Sequence, residues 1–432
     1  MEREGAIMRD SSTVLPLSGQ RGFIVERLLT PEAAIVAYFA RAELTAPRVE
    51  RVALDAAAGR VLASDAIARD DHPSHARSTM DGFAVDSRDS GRRTIVGAVR
   101  MGAAPPRAIG PGETLRIPTG GALPEGADAV VPLEEVDELP GAVVLRERIS
   151  PGDNVTPRAS DLRAGERVLQ AGRRLGGPEL GVLATLGLAE VEVFARPSFG
   201  IISTGDELID VDATPELGQI RDSNRYAIAA TLRALGAEAV HLPRAVDDLA
   251  QLRGAIAAAL ERCDGVMLTG GSSVGERDYT PQAVAELGEP GPIVHGIRVK
   301  PGKPTLLAAI DGKPIVGLPG NPTSSLMILE AVARPIVIAT TGETYARAPA
   351  LDALAAQSFK GREGWTWFVP ARVTQLGATL SAELLPLRSS HTSLLARATG
   401  YVTLDEGHPR VEAGERVRVA LFSAGGAPVE GN

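Results

Sequence analysis

The sequence predicts a multidomain α/β protein with a central, doubly wound, mostly parallel α/β domain, a β-rich insert module and a C-terminal β-barrel. Three observations support this prediction. The chain has 432 residues, too many for one hydrophobic core. Apolar runs alternate with helical patterns from about residue 193 to 343, which is typical of a parallel sheet covered by helices. Short β-like runs punctuated by Gly and Pro dominate the regions on either side.

The N-terminal half begins with a helix signal and then changes to a β-rich texture. Thr30-Pro31-Glu32 predicts a helix that runs to about Leu44, because a capping residue followed by proline favours a first helical turn. Short runs such as Thr94–Val99 and Ala129–Pro132 predict an all-β module inserted into a mixed domain. We therefore predict a disordered N-terminus over residues 1–25, an N-terminal helix and the first part of a mixed domain over 26–66, a β-rich module over 67–153, the second part of the mixed domain over 154–192, an α/β domain over 193–343 and a β-barrel over 344–432.

The α/β region has three apolar runs that predict buried parallel strands. These are Phe199–Ser203, Gly265–Leu268 and Pro314–Val316. Helices are predicted over Asp222–Leu235 and Asp248–Arg262, because apolar residues recur there at helical spacing behind a capping residue.

A glycine-containing loop follows each of the three strands: Gly205–Leu208, Gly270–Gly275 and Gly317–Pro322. Ligands of open α/β sheets bind beyond the carboxyl ends of the strands. Glycines let the backbone approach a ligand, and free amides at a helix start attract anions. The doubly basic segment Lys300–Pro304 lies between the second and third loops and could aim two ammonium groups at one anion, although exposed lysines are often only solvated surface. The pattern predicts a cleft for a phosphorylated or otherwise anionic small molecule.

Acidic residues cluster in the loops of the same region. Carboxylates near a phosphate loop indicate a hard cation, most often Mg²⁺, which takes oxygen ligands and bridges phosphates. Each acid could instead be a helix cap or a turn residue, and both interpretations stay open. The acids are Asp206 and Glu207, just past a strand end, and Asp222, Asp247, Asp248 and Asp278 in later loops.

Composition argues against several function classes. A net charge of −9 argues against a general nucleic-acid surface, and 3% aromatic residues leave few platforms for stacking bases. The single cysteine, Cys263, excludes an internal disulfide and a thiolate metal cluster and suits a reducing cytoplasm. No His-Glu-x-x-His or Walker-type Gly-Lys-Ser/Thr motif occurs. No signal peptide is evident, and the longest apolar run, around Pro335–Thr341, predicts a core helix rather than a membrane span.

Six motifs in one order resemble the molybdopterin molybdenumtransferase family, which includes MoeA and the gephyrin E-domain. Each motif alone is weak, but six in register over about residues 30–425 are highly specific. The motifs are Met80–Val85, Pro118–Gly121 with Gly126–Val131, Ser203–Leu208, Gly270–Gly275 through Asp278-Tyr279, Lys300–Pro304 and Gly317–Pro322.

The resemblance implies a molybdopterin-binding type of α/β domain and an elongated, cytoplasmic homodimer of four-domain subunits. It also implies a reaction in which adenylylated molybdopterin and molybdate give molybdenum cofactor and AMP, with Mg²⁺ or another divalent cation. The substrate would be handed over from the molybdopterin adenylyltransferase and the product passed to molybdoenzymes. Neither a nucleic acid nor a membrane is an implied partner.

The resemblance also implies roles for individual residues. The catalytic set has three parts: an acidic cluster of Asp206, Glu207, Asp247 and Asp278, the lysines Lys300 and Lys303, and Asp81 and Thr119 supplied across the dimer. Within the acidic cluster, the implied metal ligands are Asp206, Glu207 and Asp278. The cofactor-binding set comprises Gly270, Gly271, Ser272, Ser273, Pro304, Pro319, Gly320, Asn321, Pro322, Ser324 and Ser390, of which Pro304, Ser324 and Ser390 match the molybdate and pterin end of the cleft together with the two lysines.

The chain departs from the family pattern at three places. His75-Ala76 replaces a usual Phe-Asp, and Ala159-Ser160-Asp161 replaces a usual Gly-Glu-Asp. An Arg-containing segment is replaced by Trp365–Phe368, so that Arg362 or Arg372 is the candidate to grip molybdate. These departures leave open the alternative of a divergent paralogue that binds or carries the cofactor without turnover. A third alternative, an interaction scaffold, rests only on analogy with the receptor-binding use of the gephyrin E-domain. The sequence does not separate molybdate from tungstate.

Overall fold

The computed structural model describes residues 28–246, 248–270, 279–344, 348–386, 388–426 and 429–431. Contacts divide the chain into two compact units. One unit is Val49–Phe194, and the other combines the segment that ends at Arg48 with the chain from Ala195 onward.

Helix α1 (Pro31–Arg41) starts where the sequence predicts and ends earlier. Thr30 Oγ1 accepts a hydrogen bond from the Ala33 amide at 3.2 Å, which satisfies one of the free N–H groups of the first turn. Ala42 already has an extended backbone, and the Thr45 amide donates to the Gly312 carbonyl at 2.9 Å. The predicted end near Leu44 is wrong because this long-range contact draws the chain out of the helix.

The unit Val49–Phe194 is built from β-strands. A six-stranded sheet has the order β8-β5-β7-β6-β10-β9, and a three-stranded sheet has the order β1-β13-β2. The strands are β1 (Val49–Ala53), β2 (Val61–Leu62), β3 (Ala66–Ile67), β4 (Arg77–Ser78), β5 (Gly82–Val85), β6 (Arg92–Ala98), β7 (Glu113–Ile117), β8 (Ala129–Pro132), β9 (Val136–Leu139), β10 (Ala142–Leu145), β11 (Val155–Thr156), β12 (Arg167–Leu169) and β13 (Glu190–Phe194), with helix α2 (Gly177–Thr185) and 3-10 turns at Leu54–Ala56 and Leu133–Glu135.

In the second unit, the chain after Ala195 first forms an α/β domain. Its six-stranded sheet has the order β17-β14-β18-β22-β21-β19, and only β21 runs against its neighbours, so the sheet is mostly parallel as predicted. The elements are β14 (Ser198–Ser203), β15 (Leu208–Ile209), β16 (Ile220–Arg221), α3 (Asn224–Ala234), β17 (Glu238–His241), α4 (Leu249–Arg262), β18 (Gly265–Thr269), α5 (Thr280–Ala285), β19 (Pro290–His295), β20 (Val299–Lys300), β21 (Leu306–Ile310), β22 (Lys313–Leu318), α6 (Pro322–Ile328), a π-helical segment (Leu329–Ala333) and α7 (Arg334–Thr341).

Helices cover both faces of this sheet. Neighbouring residues of β14 point to opposite faces, so Ile201 packs with Ile228 of α3 in one buried cluster and Ile202 packs with Ile256 of α4 in another. The domain is therefore doubly wound, as the sequence predicts.

The chain from Pro322 to Thr341 is one continuous helical stretch. By length and composition alone, this stretch of 20 residues is long and apolar enough to span a membrane. The apolar run near Pro335–Thr341 that the sequence shows is too short to do so by itself. The most apolar window of the whole stretch has a mean hydropathy of 1.3 and is 72% buried inside the protein. That burial identifies the stretch as a core helix, because its apolar side chains already have protein partners.

The C-terminal region is a closed barrel, as predicted. Its strands pair in the circle β25-β26-β23-β29-β27 and back to β25, around buried residues such as Val369, Val373 and Val419. Strand β20 of the α/β domain adds to β25 at the edge of this barrel. The elements are β23 (Ala350–Ala355), β24 (Phe359–Lys360), β25 (Thr366–Leu376), β26 (Thr379–Leu384), α8 (Ser393–Ala396), β27 (Gly400–Leu404), β28 (Arg410–Val411), β29 (Arg416–Leu421) and β30 (Glu430–Gly431).

Candidate functional site

A cleft of about 930 Å³ opens beyond the carboxyl ends of β14, β18 and β22. Two main-chain hydrogen bonds hold the strand ends side by side: the Thr204 amide donates to the Thr269 carbonyl at 2.8 Å, and the Gly270 amide donates to the Leu318 carbonyl at 3.3 Å. The predicted glycine loops therefore begin at one edge of the sheet, which is where parallel strands place a ligand.

Most of the predicted site residues line this cleft. Asp206 is exposed in the same turn as Glu207 and is not part of the lining. Asp247, Gly271, Ser272, Ser273 and Asp278 lie outside the described residues. The predicted residues in the lining are Glu207, Gly270, Lys300, Lys303, Pro304, Pro319, Gly320, Asn321, Pro322, Ser324 and Ser390.

Gly270 is the point of closest approach between two loops. Its φ is +86°, and a Cβ added there would lie 2.4 Å from the Thr204 carbonyl oxygen. Only glycine fits this conformation and this spacing. The backbone therefore forms part of the cleft floor, where a ligand can meet main-chain groups directly.

Local hydrogen bonds shape the lysine turn, which packs against the helix that follows β22. Thr305 Oγ1 donates to the Gly302 carbonyl at 2.7 Å, and the Ile297 amide donates to the Lys303 carbonyl at 2.9 Å. Gly302 has a φ of +109°, and a Cβ there would lie 2.2 Å from Cγ1 of Ile328 in α6. The turn is thus closely packed, and it presents the exposed Lys300 and the half-buried Lys303 to the cleft.

Asp222 is a buried carboxylate at the cleft wall. The residue is 2% exposed, and its Oδ1 accepts a long hydrogen bond from the Arg225 amide at 3.3 Å. Its Oδ2 has no hydrogen-bond partner among the described residues, and Arg225 Nε lies 3.8 Å away. A buried carboxylate oxygen without a hydrogen bond is costly, and here the nearby Arg225 charge offsets part of that cost. The sequence identifies Asp222 as a candidate acid but gives no sign of its burial.

Arg225 is held on its other side by the neighbouring strand. Its Nε lies 3.3 Å from Nδ1 of His241, and its guanidinium donates to the Leu242 carbonyl at 3.1 Å. Burial and the nearby Arg225 lower the pKa of His241, which favours the neutral ring, the form that can accept from the guanidinium.

Asn224 fixes the third loop from the side. Its Nδ2 donates to the Gly320 carbonyl at 2.7 Å, which ties the start of α3 to the turn between Pro319 and Pro322. Sequence reasoning missed this residue. The available signal was its place directly after Asp222-Ser223 at a helix start, where a polar residue is usually a cap.

The barrel supplies the opposite wall through Arg362, Trp365, Trp367, Ser389, Ser390 and Thr392. Thr323 in the first turn of α6 connects the walls, because its amide donates to the Ser389 carbonyl at 3.2 Å and its hydroxyl to the His391 carbonyl at 2.6 Å. Of the two candidate arginines, Arg362 lines the cleft, whereas Arg372 pairs with Glu383 at 2.7 Å and does not.

Asp81 and Thr119 lie together in the other unit. Asp81 Oδ1 accepts hydrogen bonds from the Thr119 amide at 2.8 Å and from its hydroxyl at 3.3 Å, and both residues are exposed. Two departures from the family pattern also lie in this unit. One of them, Ala159, donates its amide to the carbonyl of Pro73 at 3.0 Å, two residues before the other departure begins at His75.

The described residues hold no group of three or more His, Cys, Asp and Glu side chains placed to bind a metal ion. The predicted ligand set of Asp206, Glu207 and Asp278 therefore stays a prediction, since Asp278 is outside the described part of the chain.

Three family descriptions match the chain in succession: the MoeA N-terminal region (domain I and II) over residues 29–187, the probable molybdopterin binding domain over 200–339, and the MoeA C-terminal region (domain IV) over 352–422. A molybdopterin molybdenumtransferase of Staphylococcus aureus (strain COL) is 32% identical over 390 residues, which covers 88% of this chain and 92% of that relative. The chain belongs to the molybdopterin molybdenumtransferase family. The resemblance read from the six motifs is thereby confirmed.

Other members of the family agree in sequence and fold. The molybdopterin molybdenumtransferase of Haemophilus influenzae is 30% identical over 384 residues and covers 87% of this chain and 94% of that relative. The crystal structure of the molybdopterin biosynthesis MoeA protein from Pyrococcus horikosii matches with a TM-score of 0.76 at 30% identity, over 92% of this chain and 99% of that chain.

Proposed function

We infer that this protein is a transferase that inserts molybdenum from molybdate into adenylylated molybdopterin, with formation of molybdenum cofactor and release of AMP. The observation that carries this function is the cleft, where three strand-end loops and the lysine turn converge in a chain of this family. Family membership also favours the transferase over a cofactor carrier without turnover.

The cleft residues divide into groups with different tasks. The backbone around Gly270 and Gly320 receives the phosphates, because glycine loops allow close contact with main-chain amides. Lys300 and Lys303 attract the oxyanion and offset the negative charge that develops as it attacks the phosphoanhydride. A new phosphorus–oxygen bond forms on the molybdopterin phosphate as its bond to the bridging oxygen breaks, and AMP leaves with that electron pair. Molybdenum then leaves the phosphate, which keeps the transferred oxygen, and bonds to two thiol sulfurs of molybdopterin, whose protons are released. The role of the protein in this step is electrostatic and positional rather than covalent.

We propose that a divalent cation binds at the acidic turn beside the cleft. Glu207 lines the cleft, and Asp206 is exposed in the same turn. Carboxylate oxygens are the ligands that Mg²⁺ prefers. The proposed ligands are Asp206, Glu207 and Asp278. When bound, Mg²⁺ neutralises phosphate charge and orients the anhydride.

The test of this function is AMP release by the purified protein from adenylylated molybdopterin with Mg²⁺ and molybdate. We expect release that depends on molybdate and exceeds that of a reaction without protein. Binding of the substrate with no AMP release would contradict the transferase and support a carrier. Replacing molybdate with tungstate in the same assay determines which oxyanion is used.

We further propose a cytoplasmic homodimer in which Asp81 and Thr119 of each subunit complete the active site of the partner subunit. The dimer would receive its substrate from the adenylyltransferase and pass its product to molybdoenzymes. Light scattering of the purified protein should give twice the chain mass. In Asp81→Asn, the amide oxygen can still accept from Thr119, so stability should be retained while AMP release falls. Full activity of this variant would contradict a role for Asp81 in the reaction.

A further inference from the structure

Both tryptophans of this aromatic-poor chain lie in the cleft. The chain has two tryptophans and 3% aromatic residues, and both tryptophans line the cleft. No other aromatic side chain is found in the cleft lining among the described residues. Tryptophan offers the largest flat face for a ring system, so its concentration here indicates a planar ligand.

Trp367 is fixed in place beside the lysine turn. In the parallel pairing of β20 with β25, Lys300 is in register with Trp367. The indole packs against Phe359 in a T-shaped arrangement with ring centroids 5.9 Å apart. A Cβ added at Gly361 would lie 2.9 Å from its Cδ1 atom, so the backbone lies close against one edge of the ring. Trp367 is therefore a rigid part of the barrel wall.

Trp365 lies in the bend just before β25, two residues from Trp367, and both indoles line the cleft. Thr366 between them is buried at 2% exposure. Trp365 is half-buried, and the guanidinium carbon of the exposed Arg362 lies 5.5 Å from its ring centroid. This cation–π contact restrains the indole without removing it from the cleft.

We propose that Trp365, supported by Trp367, is a stacking platform for the flat ring of the pterin. The proposal rests on the proposed function, since it deepens the description of the same cleft. Molybdenum becomes joined to molybdopterin in the product, so the oxyanion must lie against the pterin end of the substrate. The ring nearest to Lys300 is then the pterin rather than the adenine. An aromatic face can stack on either heterocycle, so the identity of the ring is tested by comparing the binding of a pterin with that of an adenine nucleotide.

The test is a binding titration of the full chain with two probes, 6-hydroxymethylpterin phosphate and AMP, followed by tryptophan fluorescence and by calorimetry. Trp365→Ala should weaken the Kd of the pterin phosphate about tenfold, whereas Trp365→Phe should weaken it only about twofold, because phenylalanine keeps an aromatic face. AMP affinity should be unchanged in both variants. In Trp365→Phe, quenching by the pterin phosphate would report on Trp367 alone.

Phe39→Ala is the matched control, because Phe39 is an aromatic residue 40% exposed on α1 and not part of the cleft lining. It should bind both probes as the wild-type chain does. Equal pterin affinity in wild-type and Trp365→Ala protein would overturn the proposal, and a loss confined to AMP would assign the platform to adenine and overturn the pterin assignment. If the pterin phosphate binds through Trp365 but no AMP is released from the substrate, the proposed function fails while the platform stands.

Discussion

The two walls of the cleft are built in different ways. The α/β wall consists of loops that directly follow parallel strands, and its groups are backbone amides, lysines and carboxylates. The barrel wall consists of an aromatic pair, an arginine and hydroxyl side chains from segments that are distant in sequence. The difference suggests a division of labour in which the α/β wall handles charge and the barrel wall recognises shape.

The largest expected effect tests the charge-handling wall. The double variant Lys300→Ala/Lys303→Ala should lower the rate of AMP release about 100- to 1000-fold, because transition-state charge loses its stabilising groups. The matched control is Lys360→Ala, since Lys360 is an exposed lysine of β24 that is not in the cleft lining. Comparable losses in the control would show that general charge, rather than the lysine turn, determines the rate.

The two tryptophans of the barrel wall should differ in how much they contribute to the stability of the protein. Trp367 packs with the buried barrel core, so Trp367→Ala should lower the free energy of unfolding by about 3 kcal/mol. Trp365 is not part of that core cluster, so Trp365→Ala should cost less than about 1 kcal/mol. Urea unfolding followed by circular dichroism measures both values. Similar costs for the two variants would contradict their separate roles.

A smaller effect is expected at the hydrogen bond that positions a loop of the α/β wall. Asn224→Ala removes the donor to the Gly320 carbonyl, which should raise KM about fivefold, corresponding to about 1 kcal/mol. The rate at saturating substrate should change less, because Asn224 acts through the loop. Tyr226→Phe on the same helix serves as the control. A loss of kcat with KM unchanged would place Asn224 in the chemical step instead.

The smallest effect concerns the junction of the two domains. Glu330 is buried in the π-helical segment and accepts from the Ser423 amide at 2.8 Å and from its hydroxyl at 2.7 Å. Burial raises its pKa, so the neutral carboxyl is favoured in the folded protein. The stability that this group contributes is complete below the ordinary glutamate pKa and is lost as pH rises through the raised value.

Glu330→Gln should therefore gain stability relative to wild type as pH rises through that window, because the amide has no proton to lose. Parallel urea titrations at several pH values measure the difference. A constant difference across the window would show that Glu330 does not change its protonation there.

Much of the α/β wall could be predicted because its residues follow strands, and a parallel sheet brings the ends of such strands to one edge. Glu207, Gly270 and Gly320 were placed in this way. The barrel wall could not be predicted from local pattern, since the segments of Trp365 and Thr392 are brought to the cleft by long-range contacts. These are the pairing of β20 with β25 and the hydrogen bonds from Thr323 to the Ser389 and His391 carbonyls. The burial of individual acids could not be predicted from the sequence either. In the structure Asp222 is buried, whereas Asp206 is exposed. The predicted domain boundaries and the roles of Asp247 and Asp278 stay predictions.

The pairing of β20 with β25 has a consequence for attempts to divide the protein. The strand that carries Lys300 is completed by hydrogen bonds from a part of the chain that begins some sixty residues later, at Thr366. A fragment truncated after α7 would retain every glycine loop and both lysines in its sequence, yet it would leave the edge of β20, which carries Lys300, without its partner strand. The α/β domain and the barrel therefore share a strand pairing that any exchange of the barrel would have to rebuild.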